Sequence, residues 1–354
     1  MADIGVGIIG YGLAGRVFHA PFVNAVPGLR VDAFVERKTD EAARAYPTTR
    51  TYRRVEDLLT DRGVGLVIVG TPNATHYPLA KQALEAGKHV VIDKPFAESS
   101  AQAEELISIA NRNGLVLAPF HNRRWDGDFR TVRKLIDAGK LGRLVTFESH
   151  FDRFKPAPRE GGWKESASQA NGMLMDLGPH LVDQALALFG WPDTVTASVR
   201  SDRDTTAIED AFDIALSYKG LIAWCRATML ACEPGPRFLL HGTEGSFRKW
   251  GVDPQEPAIV AGARVPRQDE GVWLQEEPSA WGELAIAGPG GDVVRSRIQT
   301  ELGDYRGFYA NVRDTILGLA ALEVTPEEGR NVIRILETAR ISSAEGRSLS
   351  PGSV

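Results

Sequence analysis

The chain has 354 residues, which is too long for one ordinary hydrophobic core and suits two domains. Its 43% hydrophobic and 25% charged residues are typical of a folded globular protein and exclude an intrinsically disordered one. The net charge of −5 offers no attraction to a polyanion, so a nucleic-acid partner is not expected.

The N-terminal sequence and the two cysteines indicate a cytoplasmic protein. The first apolar run ends in glycine and has no basic segment before it, so it does not resemble a signal peptide. No stretch of about twenty apolar residues occurs, so no membrane span is predicted. Cys225 and Cys232 lack the spacing of metal ligands and are interpreted as reduced structural thiols, and no metal site is expected.

Residues 1–119 alternate short apolar runs with amphipathic stretches of helical period. The runs are bounded by glycine or polar residues, which is typical of strands buried in a parallel sheet. They are Ile4 to Ile9, Val31 to Val35, Leu66 to Val69, His89 to Ile92 and Leu115 to Ala118. Strand–helix–strand repetition implies right-handed crossovers, so this part is predicted to be a doubly wound α/β domain.

Residues 120–354 have longer strand patterns joined by short turns, which favours an antiparallel sheet. The predicted strands are Leu144 to Phe151, Thr194 to Val199, Ala211 to Ser217, Ile222 to Thr228 and Phe238 to His241. The predicted helices are Phe129 to Asp137, Pro179 to Phe189, Tyr305 to Leu319 and Thr325 to Ser343. The stretch from Asp253 to about Gly291 is rich in glycine and proline, and irregular loops are expected there.

A Gly-x-Gly-x-x-Gly motif, Gly10 to Gly15, directly follows the first predicted strand and precedes a helical stretch. The motif alone is a weak signal, but this context is the one that dinucleotide binding requires. Gly10 permits a tight turn, Gly12 and the adjoining Leu13 let the backbone approach a pyrophosphate, and Gly15 permits close helix–strand packing. The helix N-terminus would present free N–H groups to the phosphates.

Two adjacent signals for the choice of cofactor disagree. Glu36 ends the second predicted strand, where a carboxylate would bind the ribose 2′-hydroxyl and repel a 2′-phosphate, which favours NAD. Arg37 and Lys38 follow at once and could pair with that phosphate, which favours NADP. We expect NAD(H) to be favoured over NADP(H). The alternative is that Glu36 is only a solvated loop charge.

Three further residues are weighed between structural and functional roles. Pro21 lies where the first helix should run, so a local irregularity is expected there. His19 is interpreted as a packed structural residue rather than a catalytic one. Tyr305 and Tyr309 share one helix face and are interpreted as core residues, although they could reach a substrate pocket.

Several segments resemble motifs of the Gfo/Idh/MocA oxidoreductases. Gly70 to His76 is one, and Gly87 to Pro95 resembles the family's Glu-Lys-Pro signature with Asp93 in place of glutamate. Asp176 to His180 is similar to the family's Asp-x-x-x-His motif, and the resemblance covers nearly the whole chain. Two further segments look closest to the scyllo-inositol dehydrogenase branch, namely His121 to Asp126 and Glu148 to Phe154.

The resemblance implies an N-terminal Rossmann domain and a C-terminal α/β domain with an open, mainly antiparallel sheet used for substrate binding and oligomerisation. A homodimer or homotetramer is therefore expected. The resemblance assigns catalytic roles to Lys94, Asp176 and His180. It also places one group of residues beside the cofactor, namely Thr71, Pro72, Asn73, His76, Asp93, Lys94 and Pro95.

The expected reaction moves a hydride between a nicotinamide and one carbon of a cyclitol or sugar, with scyllo-inositol a candidate. Lys94, at a strand carboxyl end, would hold the reacting oxygen. His180 would receive the proton, and a helix start at Gly178 and Pro179 would keep its imidazole neutral. Asp176 would orient the sugar or the imidazole. The candidate substrate-binding residues are Lys94, Asn122, Arg123, His150, Arg153, Trp163, Asp176 and His180, with Arg124, Trp125 and Asp152 as further candidates.

Two rival functions share the same resemblance. One is a non-catalytic sensor of sugar ligands, which has no chemical reason to keep Lys94, Asp176 and His180 together. The other is an NAD-dependent glycosidase, which would use the redox step transiently. Net accumulation of NAD(P)H during turnover would argue against the glycosidase.

Overall fold

The structure, a computed structural model, describes residues 3–157, 171–204, 206, 208–288 and 290–352. The chain forms two compact units. The first contains Met1–Trp125, Pro254–Leu274 and Asp304–Asn331, and the second contains Asp126–Asp253, Gln275–Gly303 and Val332–Val354. Among the described residues, no helix has the length and hydropathy that crossing a membrane would require.

The first unit is a doubly wound Rossmann domain. Its strands are β1 Ile4–Ile9, β2 Leu29–Val35, β3 Arg50–Tyr52, β4 Leu66–Val69, β5 His89–Ile92 and β6 Leu117–Pro119. The described residues form one parallel sheet in this unit, with strand order β3-β2-β1-β4-β5-β6. Its helices are α1 Ala20–Ala25, α2 Glu41–Ala45, α3 Val55–Leu59, α4 His76–Glu85, α5 Ser100–Asn113, α8 Gln255–Val260 and α9 Arg306–Ile316.

The apolar runs form strands because both of their faces are covered. Val6, Ile8 and Ile68 are fully buried, as expected for central strands with helices on either side. Three strands, β1, β4 and β5, have the predicted bounds. The sequence analysis missed β3, which is a short edge strand with no buried residue and therefore no apolar run.

The first crossover is irregular next to Pro21, as predicted. Ala14–His19 forms a π-helical turn in which the N–H of Ala20 reaches the carbonyl of Gly15, and α1 follows it. Because Pro21 lies in the first turn of α1, its missing N–H falls where a new helix tolerates it.

The second unit contains a mainly antiparallel sheet. Its strands are β7 Leu144–Asp152, β8 Thr194–Arg200, β9 Ala211–Tyr218, β10 Leu221–Thr228, β11 Phe238–Gly242, β12 Gly245–Lys249, β13 Gly282–Ala287 and β14 Val293–Ile298. Across the described residues the order is β14-β13-β12-β11-β7-β10-β9-β8, and β7 and β10 pair in parallel. Its helices are α6 Gly127–Asp137 and α7 Met173–Phe189, and α10 Pro326–Glu345 begins in the first unit and ends in the second. The predicted fold class is confirmed.

The start of α7 differs from the prediction. The helix begins at Met173, so Pro179 lies inside it and Gly178 is not near its N-cap. Gly178 instead permits close packing, because a Cβ there would come within 2.8 Å of the Leu336 side chain. The prediction that Pro179 is the first residue of the helix is therefore wrong.

Residues 253–291 are not all irregular loop, as had been expected. They include α8 and β13, and β14 follows soon after. The segment Pro254–Leu274 belongs to the first unit, where Trp273 packs against Phe22, a residue that also contacts Tyr305. The observed units therefore differ from a division at residue 119 because two later segments, Pro254–Leu274 and Asp304–Asn331, belong to the first unit.

Candidate active site

The glycine loop after β1 has the geometry that the motif predicts. Gly10 has a φ of 98°, and a Cβ on it would come within 2.7 Å of the Gly70 carbonyl oxygen. A Cβ on Gly15 would come within 2.3 Å of the Gly10 carbonyl oxygen. A Cβ on Gly12 would meet nothing within 4 Å. The fold itself requires Gly10 and Gly15, whereas at Gly12 space is open for a pyrophosphate to approach the backbone.

The carboxylate of Glu36 is engaged by the protein. It accepts the N–H groups of Glu41 at 3.1 Å and Ala42 at 3.0 Å, and it accepts a hydrogen bond from the Thr39 hydroxyl. Glu36 is 7% exposed, and it caps α2 from outside the helix because it accepts the N–H groups of the first two helical residues. Arg37 and Lys38 are exposed beside it.

His76 links the two loops that follow β4 and β5. Its Nδ1 lies 2.8 Å from the carbonyl oxygen of Pro95, and its Nε2 lies 2.8 Å from that of Thr71. The ring is 1% exposed. Pro72 caps the turn Asn73–Thr75 that leads into α4, so His76 ties this segment to the Lys94 loop.

Lys94 follows the carboxyl end of β5. The Asp93 carboxylate accepts the N–H of Lys94 at 2.8 Å and lies 3.7 Å from the His19 Nε2. Burial alone would raise the pKa of the Asp93 carboxyl, but the neighbouring His19 ring and the charges of Lys94 and His76 lower it to about 2. Asp93 therefore stays ionised at every pH at which the protein would work.

Two substrate candidates follow β6 in the first unit. Asn122 and Arg123 lie in the turn Asn122–Trp125 and are 3% and 8% exposed. The Arg123 guanidinium donates to the Glu256 carboxylate at 2.5 Å, which ties this turn to α8. Arg123 therefore has a structural role in addition to any contact with a ligand.

In the second unit, the Asp-x-x-x-His spacing places Asp176 and His180 on one face of α7. The Arg153 guanidinium lies 3.8 Å from the Asp176 carboxylate. The His180 ring is 6% exposed and contacts the Phe151 ring at a centroid distance of 6.3 Å. The structure thus brings Arg153, Asp176 and His180 together.

His150 does not join that group. Phe151 faces α7, and side chains alternate along a strand, so His150 lies on the opposite face of β7. Its ring nitrogens lie 3.2 Å from the Glu148 carboxylate and 3.4 Å from that of Asp152. The prediction that His150 binds the same substrate as His180 is not supported by this placement. Trp163 lies outside the described residues.

Comparison with known proteins identifies the family to which the chain belongs. The family model for "Oxidoreductase family, NAD-binding Rossmann fold" matches residues 4–121, and the model for the GFO/IDH/MocA C-terminal domain matches residues 129–248. The chain belongs to the Gfo/Idh/MocA family of oxidoreductases. It is therefore an oxidoreductase with an NAD(P)-binding Rossmann domain.

Individual members of the family are similar over almost their full length. The oxidoreductase YdgJ of Escherichia coli is 39% identical, covering 98% of this chain and 98% of that protein. The scyllo-inositol 2-dehydrogenase (NADP(+)) IolW of Bacillus subtilis is 38% identical, covering 98% and 95%. The structure of the Bacillus subtilis oxidoreductase yvaA has a TM-score of 0.94 and 37% identity, covering 99% and 98%.

Two features of this Gfo/Idh/MocA protein correct the sequence interpretation. His180 is the eighth residue of α7, so the helix dipole, which acts within the first turn, does not explain a neutral imidazole there. The Glu36 carboxylate caps α2, so it does not provide the argument for NAD that its position predicted.

Sequence reasoning also missed how buried groups support the site. His19 contacts both Asp93 and Tyr309, although it was interpreted only as packing. A signal was present at Gly70, because a Cβ there would come within 3.0 Å of the His19 ring. Glycine at the end of a buried strand indicates close approach of another group.

The glycine loop gives a prediction with a built-in control. Gly12→Ala should weaken binding of nicotinamide dinucleotide by about tenfold or more, because the methyl group would occupy space needed by the pyrophosphate. Its thermal unfolding midpoint should stay native. Gly15→Ala should lower that midpoint, because its Cβ would meet the Gly10 carbonyl. Titration calorimetry and calorimetric melting check both. Native affinity in Gly12→Ala would contradict the assignment.

Proposed function

We propose that this oxidoreductase is an NADP(H)-dependent dehydrogenase that oxidises a secondary alcohol on the ring of a cyclitol, with scyllo-inositol the first candidate. The observation that carries the proposal is the position of Lys94. It follows the carboxyl end of β5, in the sheet where the Gly10–Gly15 loop follows β1. Ligands of open parallel sheets bind at this end of the strands.

The protein's own residues divide the work of the reaction. A bound nicotinamide supplies a hydride acceptor. Lys94 donates a hydrogen bond to the reacting oxygen and holds it. His180 receives the hydroxyl proton as general base, and Asp176 with Arg153 orients the ring hydroxyls. The name of IolW, which is similar over nearly the whole chain, supports a cyclitol as the substrate class.

NADP(H) is proposed because the Glu36 carboxylate is engaged within the protein. Three donors already use most of its acceptor sites and the residue is 7% exposed, which disfavours a hydrogen bond to a ribose 2′-hydroxyl. Arg37 and Lys38 are exposed next to it and provide two cations for a 2′-phosphate. The printed specificity of IolW, NADP(+), agrees with this choice.

The cofactor proposal predicts a specific loss. Arg37→Ala should lower kcat/KM for NADP+ by about ten- to a hundredfold, since a charge-assisted pair is removed, while kcat/KM for NAD+ stays near native. Arg54→Ala, which removes an exposed arginine paired with Glu56, is the control and should change neither value. Steady-state kinetics with both cofactors checks this. A rise in NADP+ preference in Glu36→Ser would show instead that Glu36 faces the cofactor.

The substrate proposal is tested by a cofactor-reduction assay. Purified protein is given NADP+ or NAD+ with scyllo-inositol, other cyclitols and aldoses, and absorbance of the reduced cofactor is followed. Net NADPH accumulation with scyllo-inositol is the expected result. Turnover of a glycoside without net NADPH would favour a glycosidase, and faster oxidation of an aldose would replace the cyclitol as substrate.

A further inference from the structure

A buried histidine connects the aromatic core of the Rossmann unit to the loop that carries Lys94. The His19 Nδ1 lies 2.6 Å from the Tyr309 hydroxyl, and its Nε2 lies 3.7 Å from the Asp93 carboxylate. His19 and Tyr309 are fully buried, while Asp93 keeps a side-chain exposure of 16%. Three polar side chains from distant parts of the sequence thus lie in a row, with a hydrogen bond between His19 and Tyr309 and an electrostatic contact between His19 and Asp93.

The position of His19 is constrained on every side. The π-helical turn Ala14–His19 brings the residue to the end of β4, where Gly70 provides room for the ring. The Phe120 ring packs against His19 at a centroid distance of 4.7 Å. In this position the two imidazole nitrogens face Tyr309 and Asp93.

The neighbours of His19 determine where its proton lies. Burial, followed by the charge of Asp93, raises the pKa of Tyr309 well above its usual value, so its hydroxyl keeps its proton and can donate. Asp93 is ionised and can only accept. The consistent arrangement has Tyr309 donating to Nδ1 and the Nε2–H directed at the carboxylate.

The other carboxylate oxygen of Asp93 contacts the Lys94 backbone. Asp93 Oδ1 accepts the N–H of Lys94 at 2.8 Å, while Oδ2 faces His19. Both oxygens are therefore oriented, one by the buried His19 ring and one by the backbone N–H of Lys94. A change in the orientation of this carboxylate would turn that peptide and displace the start of the Lys94 side chain.

We propose that His19 and Tyr309 are positioning residues that act through Asp93 to hold Lys94 in its reactive orientation. The proposal rests on the role of Lys94 in the proposed function. Packing alone would be served equally well by two apolar rings, whereas a polar arrangement whose buried imidazole nitrogen lies 3.7 Å from a carboxylate without a hydrogen bond costs stability. Its value lies in orientation, because a displacement of about 1 Å at a reacting group costs about a hundredfold in rate.

The kinetic test removes a single buried hydroxyl. Tyr309→Phe should lower kcat with scyllo-inositol and NADP+ by about tenfold, while KM for NADP+ stays within about twofold of native. Tyr305→Phe is the matched control, since this tyrosine is also fully buried and belongs to the same segment, and it should keep native kcat. Native kcat in Tyr309→Phe, or an equal loss in both variants, would overturn the proposal.

Variants at His19 separate positioning from packing. Glutamine offers an amide N–H near the position of Nε2, so His19→Gln should retain more kcat than His19→Leu by about tenfold. Both should bind NADPH, followed by its fluorescence, with near-native affinity. Equal kcat values in two folded His19 variants would show that only the volume of the ring matters.

A spectroscopic measurement keeps this test separate from the identity of the substrate. The lysines are reductively methylated with a carbon-13 label, and the Lys94 signal is assigned from its absence in Lys94→Arg. That signal should move in Tyr309→Phe and stay in place in Tyr305→Phe. An unmoved signal overturns the proposal. A moved signal without oxidation of scyllo-inositol supports it and shows that the substrate assignment alone has failed.

Discussion

Replacing Lys94 with alanine is expected to lower kcat by about 10²–10⁴-fold, and replacing His180 with alanine should do the same. The reason is chemical, because oxidation of an alcohol requires a base for the hydroxyl proton and a group that holds the oxygen. Affinity for the cofactor should stay near native in His180→Ala, because His180 belongs to the second unit and the cofactor loop to the first.

The two losses should not add. Lys94 and His180 are proposed to act on one substrate oxygen, and groups that act as a unit are strongly non-additive. The double variant should therefore be little slower than either single variant. In the pH profile of kcat/KM, the fall in rate at low pH that reports protonation of the base should also weaken in His180→Ala. Steady-state kinetics over a range of pH provides each of these values.

The structure supplies a matched control for this experiment. His150 was predicted to contact the same substrate, but it lies on the face of β7 opposite to Phe151, between Glu148 and Asp152. His150→Ala should therefore keep native kcat. Near-native turnover in a folded His180→Ala would show that the base lies elsewhere, and a large loss in His150→Ala would show that the sheet faces were assigned wrongly.

Local signals were sufficient for the central strands and the glycine loop of the first unit. The runs that became β1 and β4 are apolar throughout because both faces of a central parallel strand are buried, so composition alone marks their bounds. The glycine loop was also predicted, because Gly10 and Gly15 are required by close contacts with backbone a few residues away or at the end of the next strand.

The remaining errors arise where an element has no buried apolar pattern or where its packing partner is distant in the chain. Strand β14 is exposed along most of its length and has no buried apolar pattern to find. The start of α7 was missed because Gly178 and Pro179 look like a helix start, whereas Gly178 serves the packing of Leu336 from α10. A partner more than a hundred residues away leaves no local pattern.

In the candidate site, the path of a nearby loop and the return of a distant segment both decide which atoms meet. The position of Glu36 was read correctly as a strand end, but its carboxylate is used to cap α2, which depends on the path of the following loop. The contact between His19 and Tyr309 spans most of the sequence and follows from the return of α9 to the first unit. Motifs therefore identified residue types, and the fold decided which atoms meet.

The largest stability effect is expected at a buried arginine beneath α7. Arg237 is 2% exposed, and its guanidinium donates to the Ser149 hydroxyl at 2.6 Å and to the Gln184 amide oxygen at 2.7 Å. The carboxylate that balances its charge is Asp128, which is fully buried and 3.6 Å from Nε. The guanidinium carbon lies 4.2 Å from the centre of the Phe151 ring, which in turn contacts the His180 ring.

Asp128→Asn should lower the free energy of unfolding by about 3–5 kcal/mol, because it leaves the buried charge of Arg237 without its counter-ion. Adding Arg237→Met should recover part of this loss, since both charges are then gone. Asp213→Asn is the control: it weakens partly exposed pairs with Arg200 and Arg226 and should cost no more than about 1 kcal/mol. Urea unfolding of the native protein, of Asp128→Asn and Arg237→Met alone, and of the double variant gives the coupling energy. A cost in Asp128→Asn no greater than in Asp213→Asn, or a double variant as unstable as the sum of its parts, would show that Asp128 and Arg237 are not a coupled buried ion pair.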